Sequence, residues 1–188
     1  MDWQNFLTDY SSELLAKQEY LDWAKVPLEA REAKWFGFGR ASEETIRSAE
    51  LRLNVTLPDD LKDFYRVTNG WMFCSTKIYD IVPVQSLSYL KDADPNLHSL
   101  LAGLVNPDSC DQDLLDFRYT DETKVLRSIA LSTRGDAATL LFDPELNLPD
   151  NEPRFGTWAA WRPGMLWNSR KFEDFFRVER ETMLNLDG

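Results

Sequence analysis

The chain has 188 residues, of which 43% are hydrophobic, 13% aromatic and 28% charged. This composition suits a single folded domain with a sizeable core and excludes an intrinsically disordered protein. The net charge of −11 argues against binding to nucleic acid or anionic lipid and favours a basic partner. Acidic surfaces also keep many proteins soluble, so the sign of the charge leaves both interpretations open.

Residues 2–24 predict an amphipathic helix that ends before Pro27. Its apolar side chains fall on one broad face: Trp3, Phe6, Leu7, Tyr10, Leu14 and Leu21. Lys17 and Gln18 interrupt that face, so a break is expected near them. We expect the helix to pack on the domain, because a monomer rarely leaves so many aromatic side chains in water. A partner-binding or dimerising helix is the alternative.

The N-terminus is acidic and amphipathic, unlike a secretory leader. No apolar run approaches the roughly 18 residues of a membrane span. Cys74 and Cys110 are the only cysteines, too few for a disulfide framework. We therefore expect a cytoplasmic protein.

Residues 42–73 predict two short helices and then a strand. Ser42 is a suitable N-cap for a helix over 43–54, which Asn54 can end in the left-handed conformation. Pro58 suits the first position of a second helix over 58–68. Asn69 and Gly70 end that helix, and Gly70 is expected at positive φ.

The motifs Ile46-x-x-Ala49-Glu50, Leu57-Pro58-x-x-Leu61-x-x-Phe64-Tyr65 and Asn69-Gly70-Trp71, in this order, resemble the signature of the SUKH superfamily. That family includes a fungal regulator of cell-wall synthesis and many bacterial immunity proteins that neutralise polymorphic toxins. The resemblance implies an α+β fold with a mostly antiparallel sheet flanked by helices. It places a SUKH-like domain at residues 34–188, preceded by an N-terminal helical extension over 1–33.

The C-terminal half predicts strands and a closing helix. Runs at 78–82, 125–131, 138–142 and 155–161 have strand-like composition. Pro163 and Gly164 predict a turn, and Ser169 is expected to cap the last helix. That helix has an apolar stripe formed by Phe172, Phe175, Phe176 and Met183. The family likeness weakens between residues 84 and 124, which predict an insertion-like segment.

No catalytic constellation is evident. His98 is the only histidine, and no nucleophile motif accompanies it. Cys74, His98 and Cys110 lack the compact ligand spacing of a zinc site. Asp108-x-x-Asp111-x-Asp113 lacks the central Gly and the distal Glu of an EF-hand. We predict a protein that is not an enzyme and needs no metal or other cofactor, although a distant carboxylate pair for hydrolysis stays open.

The strongest local charge lies between Leu90 and Glu122, where eight acidic and two basic side chains give a balance of −6. We predict that this segment helps to bind a basic protein, such as a nuclease toxin domain; a solvated loop is the alternative. The candidate acidic residues are Asp108, Asp111, Asp113 and Asp116.

Trp71 and Glu50 each have two interpretations. Trp71 is the candidate aromatic contact, because large aromatics are enriched at interfaces; a core position is its alternative. Glu50 could be catalytic, but holding backbone amides at the start of the second helix is the more plausible role.

The prediction for function is a cytoplasmic immunity-type protein that binds and neutralises a toxin. A regulatory adaptor in signalling or cell-wall control is the second hypothesis, and a hydrolase that uses the acidic residues is the third. The partner is expected to be a basic protein, with no nucleic acid and no membrane involved.

Overall fold

The structure is a computed structural model that describes residues 1–104, 122–133, 138–145, 153–159 and 162–187. It has the predicted α+β fold. The helices are α1 (Trp3–Leu15), α2 (Gln18–Trp23), α3 (Leu28–Glu32), α4 (Glu43–Leu53), α5 (Asp59–Val67), α6 (Leu90–Ala93), α7 (Pro95–Leu104), α8 (Glu122–Arg127) and α9 (Phe172–Leu184). The strands are β1 (Ser88–Tyr89), β2 (Ile129–Ala130), β3 (Ala138–Phe142), β4 (Phe155–Ala159) and β5 (Arg162–Ser169).

The strands form one antiparallel sheet in the order β1-β2-β3-β4-β5. Successive residues of a strand point to opposite faces, and the central strand β3 is buried on both. Leu140 belongs to the main core, whereas Leu141 belongs to a second, smaller cluster. The sheet therefore lies between two layers of apolar side chains.

The main core joins α1, α5 and α9 through aromatic rings. Trp3 of α1 lies 5.2 Å from Phe64, 5.6 Å from Phe172 and 5.7 Å from Phe176, measured between ring centroids. The predicted packing of the N-terminal helix on the domain is confirmed, as is the break near residue 17, where α1 gives way to α2. The predicted stripe of α9 is also buried.

The second cluster covers the opposite face of the sheet. It consists of Leu90, Leu97, Val125, Ala130, Leu141 and Trp158, with Trp167 packed against it. The helices α6, α7 and α8 contribute three of these residues. Part of the segment predicted to be insertion-like thus provides the cover that the sheet needs on this side.

The predicted helix pair is confirmed. Ser42 caps α4 by accepting a hydrogen bond from the Thr45 amide at 3.1 Å, and Asn54 ends it at φ 53°. Pro58 lies at the N-cap of α5, one position before the predicted one. Gly70 has φ 112°, as the turn requires.

Two predicted strands are wrong. Residues 71–73 and 78–82 form isolated bridges, in which Trp71 pairs with Gly37 and Ile81. The reason lies at Phe73, whose φ of 55° turns the chain out of an extended path. Its amide donates to the Asp80 carboxylate at 3.0 Å instead of to a neighbouring strand.

The C-terminal boundaries also differ from the prediction. Val125 lies in α8, so only Ile129–Ala130 of its run form a strand. Pro163 and Gly164 lie within β5. Ser169 ends that strand and does not cap α9. The cap comes from Asp60 of α5, whose Oδ2 accepts from the Phe172 amide at 2.5 Å and the Glu173 amide at 3.3 Å.

Candidate partner-binding surface

The predicted aromatic contact, Trp71, lies in the core. Its side chain is fully buried, stacked on Tyr10 at 6.2 Å and edge-on to Trp35 at 5.4 Å between ring centroids. The Tyr10 hydroxyl donates to the Cys74 carbonyl at 2.6 Å, which fixes the stack. Trp71 therefore offers no surface to a partner in this structure, and its core interpretation is the one that burial supports.

The four predicted acidic contacts, Asp108, Asp111, Asp113 and Asp116, lie outside the described residues. Their role in binding stays a prediction. Glu50, in contrast, has the structural role that the sequence favoured. Its Oε1 accepts a hydrogen bond from the Leu57 amide at 2.9 Å and lies 3.7 Å from Lys62 Nζ. Glu50 thus fixes the connection between α4 and α5.

The described residues give little support to metal or thiol chemistry. Among them, no three His, Cys, Asp or Glu side chains come together as metal ligands. Cys74 is fully buried, and this burial raises the pKa of its thiol well above the ordinary value. A protonated thiol is a weak nucleophile, so Cys74 is a core residue.

A different tryptophan, Trp23, is exposed at the surface. Trp23, at the end of α2, leaves 49% of its side chain exposed, more than any other tryptophan in the described ranges. Phe38 is 41% exposed. Together with half-buried Met72 and Tyr79 and exposed Leu186, they form a surface that we call the aromatic surface.

Trp23 is held by ring contacts on one side. Its ring meets Tyr79 edge-on at 5.5 Å and Phe73 at 6.5 Å, measured between centroids. Edge-to-face contacts of this kind add to the free energy gained by burial. The exposed half of the indole is therefore presented in a fixed orientation, with little rotamer entropy left to lose on binding.

The backbone under Trp23 is fixed as well. Lys25 takes φ 54° and ends the turn after α2. The guanidinium of Arg31 donates to the Val26 carbonyl at 3.0 Å and the Leu21 carbonyl at 2.8 Å. It also pairs with Asp22 at 2.5 Å. The corner between α2 and α3 is thus tied together by a single side chain.

The segment that carries Tyr79 is a tight loop. The Cys74 amide donates to the Tyr79 carbonyl at 2.6 Å, and the Ser75 amide donates to the Ile78 carbonyl at 2.7 Å. The Phe73 amide also donates to the Asp80 carboxylate, so three successive backbone amides, those of Phe73, Cys74 and Ser75, hold the loop closed. Binding residues are often found on loops that a rigid scaffold holds in place.

Two cavities lie at the aromatic surface, and Trp23 lines the second of them. One, of about 280 Å³, is lined by Pro27, Phe38, Met72 and Tyr79, among others. The other, of about 500 Å³, is lined by Glu19, Tyr20, Trp23, Thr76 and Leu186. Lys25 and Asp80 border the first cavity, and Glu19 borders the second. An aromatic centre with a mixed polar rim is the usual anatomy of a protein interface.

Sequence reasoning missed Trp23. It lies within the predicted N-terminal helix but does not belong to the apolar stripe of that helix. An aromatic side chain off the buried face of an amphipathic helix is the signal that could have identified it. Phe38 lies between Gly37 and Gly39, and no periodic pattern marks it.

None of the helices in the described ranges combines the length and the hydropathy of a membrane span. The family model described as SMI1 / KNR4 family (SUKH-1) matches residues 40–177, which is most of the chain. Comparison with curated protein sequences gives no match. The matched region begins after α1, α2 and α3, so Trp23 and Phe38 both lie before it.

The boundary at residue 34, predicted between extension and domain, stays a prediction. The residues on its two sides share one core, since Trp3, Leu7 and Tyr10 belong to the same cluster as Phe64 and Phe176.

Proposed function

The chain belongs to the SMI1/KNR4 family (SUKH-1), and we propose that it is a binding protein that holds another protein against the aromatic surface. The observation that carries this proposal is Trp23, which is half exposed on a rigid corner, lines one cavity and contacts Phe73 and Tyr79 of a second. Tryptophan is the residue type most enriched among binding hot spots, and such residues lie centrally in well-packed sites.

Trp23 and Phe38 precede the residues that the family model matches, and this position has a consequence for partner specificity. The matched region supplies the shared scaffold, whereas α2 and the residues before 40 supply Trp23 and Phe38. We propose that the scaffold is common to the family and that this segment selects the partner.

For the biological role we propose a cytoplasmic immunity protein that neutralises a toxin domain without catalysing a reaction itself. The family, which includes toxin-immunity proteins, supports this role. The charge of −11 also supports it, because a nuclease domain needs a cationic surface for its substrate. A regulatory adaptor is the competing role within the same family.

Charge provides the second contribution to binding. We propose that the acid-rich segment between residues 90 and 122, with its balance of −6, accelerates encounter with a basic partner. Changing Asp108, Asp111, Asp113 and Asp116 to Asn should slow association and flatten its salt dependence. An unchanged association rate at both low and high salt would show that the segment is only a solvated loop.

The binding site can be tested directly by photo-crosslinking. A photoreactive phenylalanine in place of Trp23 should capture the partner, whereas the same residue in place of Leu51 should not. Leu51 is 71% exposed and lies on α4 beside a different cavity, so it is a matched control. Equal capture from the two positions would argue against the aromatic surface.

The captured partner then distinguishes the two roles. If it is a toxin, its enzymatic activity should fall to zero as the purified protein approaches a one-to-one ratio. A partner with no activity to inhibit, or one that keeps its activity in the complex, would favour the adaptor.

A further inference from the structure

A third cavity lies between α9 and the sheet. Its volume is about 240 Å³, and its walls come from α9, from β3, β4 and β5, and from the loop at residues 77–78. Half of the lining residues are apolar: Ile78, Ala138, Ala159, Leu166 and Val178. The polar lining consists of Lys77, Thr157, Asn168, Glu179 and Thr182.

Glu179 is the acidic residue of this lining. Its side chain is only 8% exposed, and its Oε2 accepts a hydrogen bond from the Ser75 hydroxyl at 2.5 Å. Ser75 Oγ itself accepts from the amides of Lys77 at 3.2 Å and Ile78 at 3.1 Å. Because both amides donate to its oxygen, the Ser75 hydroxyl uses its own hydrogen to donate a hydrogen bond to Glu179. The carboxylate is thus held in place at the cavity wall.

Among the described residues, no cationic side chain forms an ion pair with Glu179, although the charge of nearby Lys77 acts to lower the pKa of this carboxyl group. Lys77, which also lines the cavity, is exposed and forms no ion pair with Glu179. Arg180, the next residue of α9, instead binds Glu13 of α1, with Nε at 2.7 Å from Oε2. Burial of an ionised carboxylate without a paired charge is unfavourable.

Two other ionisable groups in the described part of the chain interact with Glu179 but do not supply that charge. They are Tyr10 of α1 and Cys74 of the adjoining loop, and burial raises the pKa of each well above its ordinary value. Both are therefore neutral at neutral pH. Burial also raises the pKa of Glu179, although the Ser75 hydrogen bond and the Lys77 charge act in the opposite direction.

We propose that this cavity binds an organic cation, an ammonium or guanidinium group on a short aliphatic chain, with Glu179 as its counter-ion. The aliphatic walls match the methylene groups of such a ligand, and the polar groups of Asn168 and Thr182 can accept hydrogen bonds from its charged end. The cation comes either from a small amine or from the end of a basic side chain on another protein.

The probes are butylamine and butylguanidinium, with 1-butanol as the uncharged control of similar shape. Titration followed by amide NMR shifts should give saturable changes at Asn168, Glu179 and Thr182 with both cations and none with butanol. Binding should weaken as the pH falls and Glu179 takes up its proton.

Three variants test whether Glu179 is the counter-ion. Glu179→Gln should weaken binding of both cations at least about tenfold, because a hydrogen bond to a charged group is worth more than a decade of affinity. Glu181→Gln is the matched control on an exposed site of the same helix and should leave binding unchanged. Lys77→Met should strengthen binding, since it removes the competing ammonium group. A dispersed spectrum of each variant shows that the fold is retained.

The source of the cation is found with N-acetyl-arginine amide, which carries the guanidinium as a partner's side chain would. Binding comparable to butylguanidinium identifies a protein side chain, and binding of the free amines alone identifies a small molecule. Equal binding of butanol, or no saturable shift with either cation, would overturn the proposal. Because no partner protein takes part, failure here leaves the proposal for Trp23 intact.

Discussion

Trp71 and Trp23 lie in neighbouring regions of the molecule and have opposite roles. Trp71 is fully buried among Tyr10, Trp35 and Phe36, at the centre of the main core. Trp23, 49% exposed, packs its edge against Phe73 and Tyr79 and leaves the rest of its ring in solvent. Phe73, only two residues after Trp71 in the chain, connects the two regions.

Residue type alone does not distinguish a side chain that stabilises the fold from one that is available to bind a partner. Both side chains are tryptophans that other aromatic rings hold in place. The difference lies in what surrounds the rings. Trp71 has protein on every side, so its burial contributes to stability. Trp23 is 49% exposed and lines a cavity, so a large part of its apolar surface is available for burial by a partner.

The largest expected effect is on the free energy of unfolding, which should fall much more when Trp71 is replaced than when Trp23 is. Trp71→Ala should lower the free energy of unfolding by roughly 3–5 kcal/mol, because it leaves a large cavity in the core. Trp23→Ala should cost about 1 kcal/mol or less, since the side chain is half exposed. Urea denaturation of both variants measures the difference. Similar losses at the two positions would contradict the assignment of Trp71 to the core and Trp23 to the surface.

A smaller effect is expected at Gly70, directly before Trp71. A Cβ atom at this position would meet the Ile81 carbonyl oxygen at 2.7 Å, and φ is 112°. Gly70→Val should therefore destabilise the protein by about 1 kcal/mol or more. Gly39→Val is the matched control, because a Cβ atom there meets nothing within 4 Å. Equal denaturation midpoints for the two variants would show that the turn before Trp71 is not constrained.

The next prediction concerns the pH dependence of stability and its link to Glu179, a buried carboxyl group of α9. Burial raises the pKa of Glu179, so the folded protein keeps this proton to a higher pH than the unfolded chain does. Its contribution to stability is present below the unfolded-state pKa and is lost as the pH rises through the folded-state pKa. Glu179→Gln cannot ionise, so its stability relative to the wild type should increase from acidic to neutral pH.

Thermal unfolding across that pH range measures the difference, with Glu181→Gln as the exposed control on the same helix. Asp60, whose pKa is also raised by burial, is present in every variant and cancels in the comparison. A stability difference between Glu179→Gln and the wild type that is constant with pH would show that the carboxylate is not desolvated.

Much of the fold could be predicted from the sequence, because the signals were local. Ser42, Asn54 and Gly70 mark helix and turn boundaries through their own backbone preferences, and the structure confirms all three. The spacing of Phe172, Phe175 and Phe176 likewise identified the buried stripe of α9. Such features depend on a few neighbouring residues, so one sequence is enough to find them.

The predictions were wrong at positions where contacts between residues far apart in the chain determine the local structure. The cap of α9 comes from Asp60, more than a hundred residues earlier in the chain, and no local pattern indicates it. Phe73 has a strand-forming side chain, yet the bond from its amide to Asp80 holds it at φ 55°. The aromatic surface combines residues from α2, from two loops and from the short 3-10 helix Asn185–Asp187 after α9, so it exists only once the chain has folded.

The most direct test of the account is the affinity of the captured partner for three variants. Trp23→Ala should weaken binding by about 2 kcal/mol or more, which is roughly thirtyfold in Kd. Leu51→Ala, at an exposed apolar position of α4, should bind as the wild type does. Phe38→Ala, on the same surface as Trp23, should give an intermediate loss. Wild-type affinity of the Trp23→Ala variant in a folded protein would contradict the central claim that the aromatic surface holds the partner.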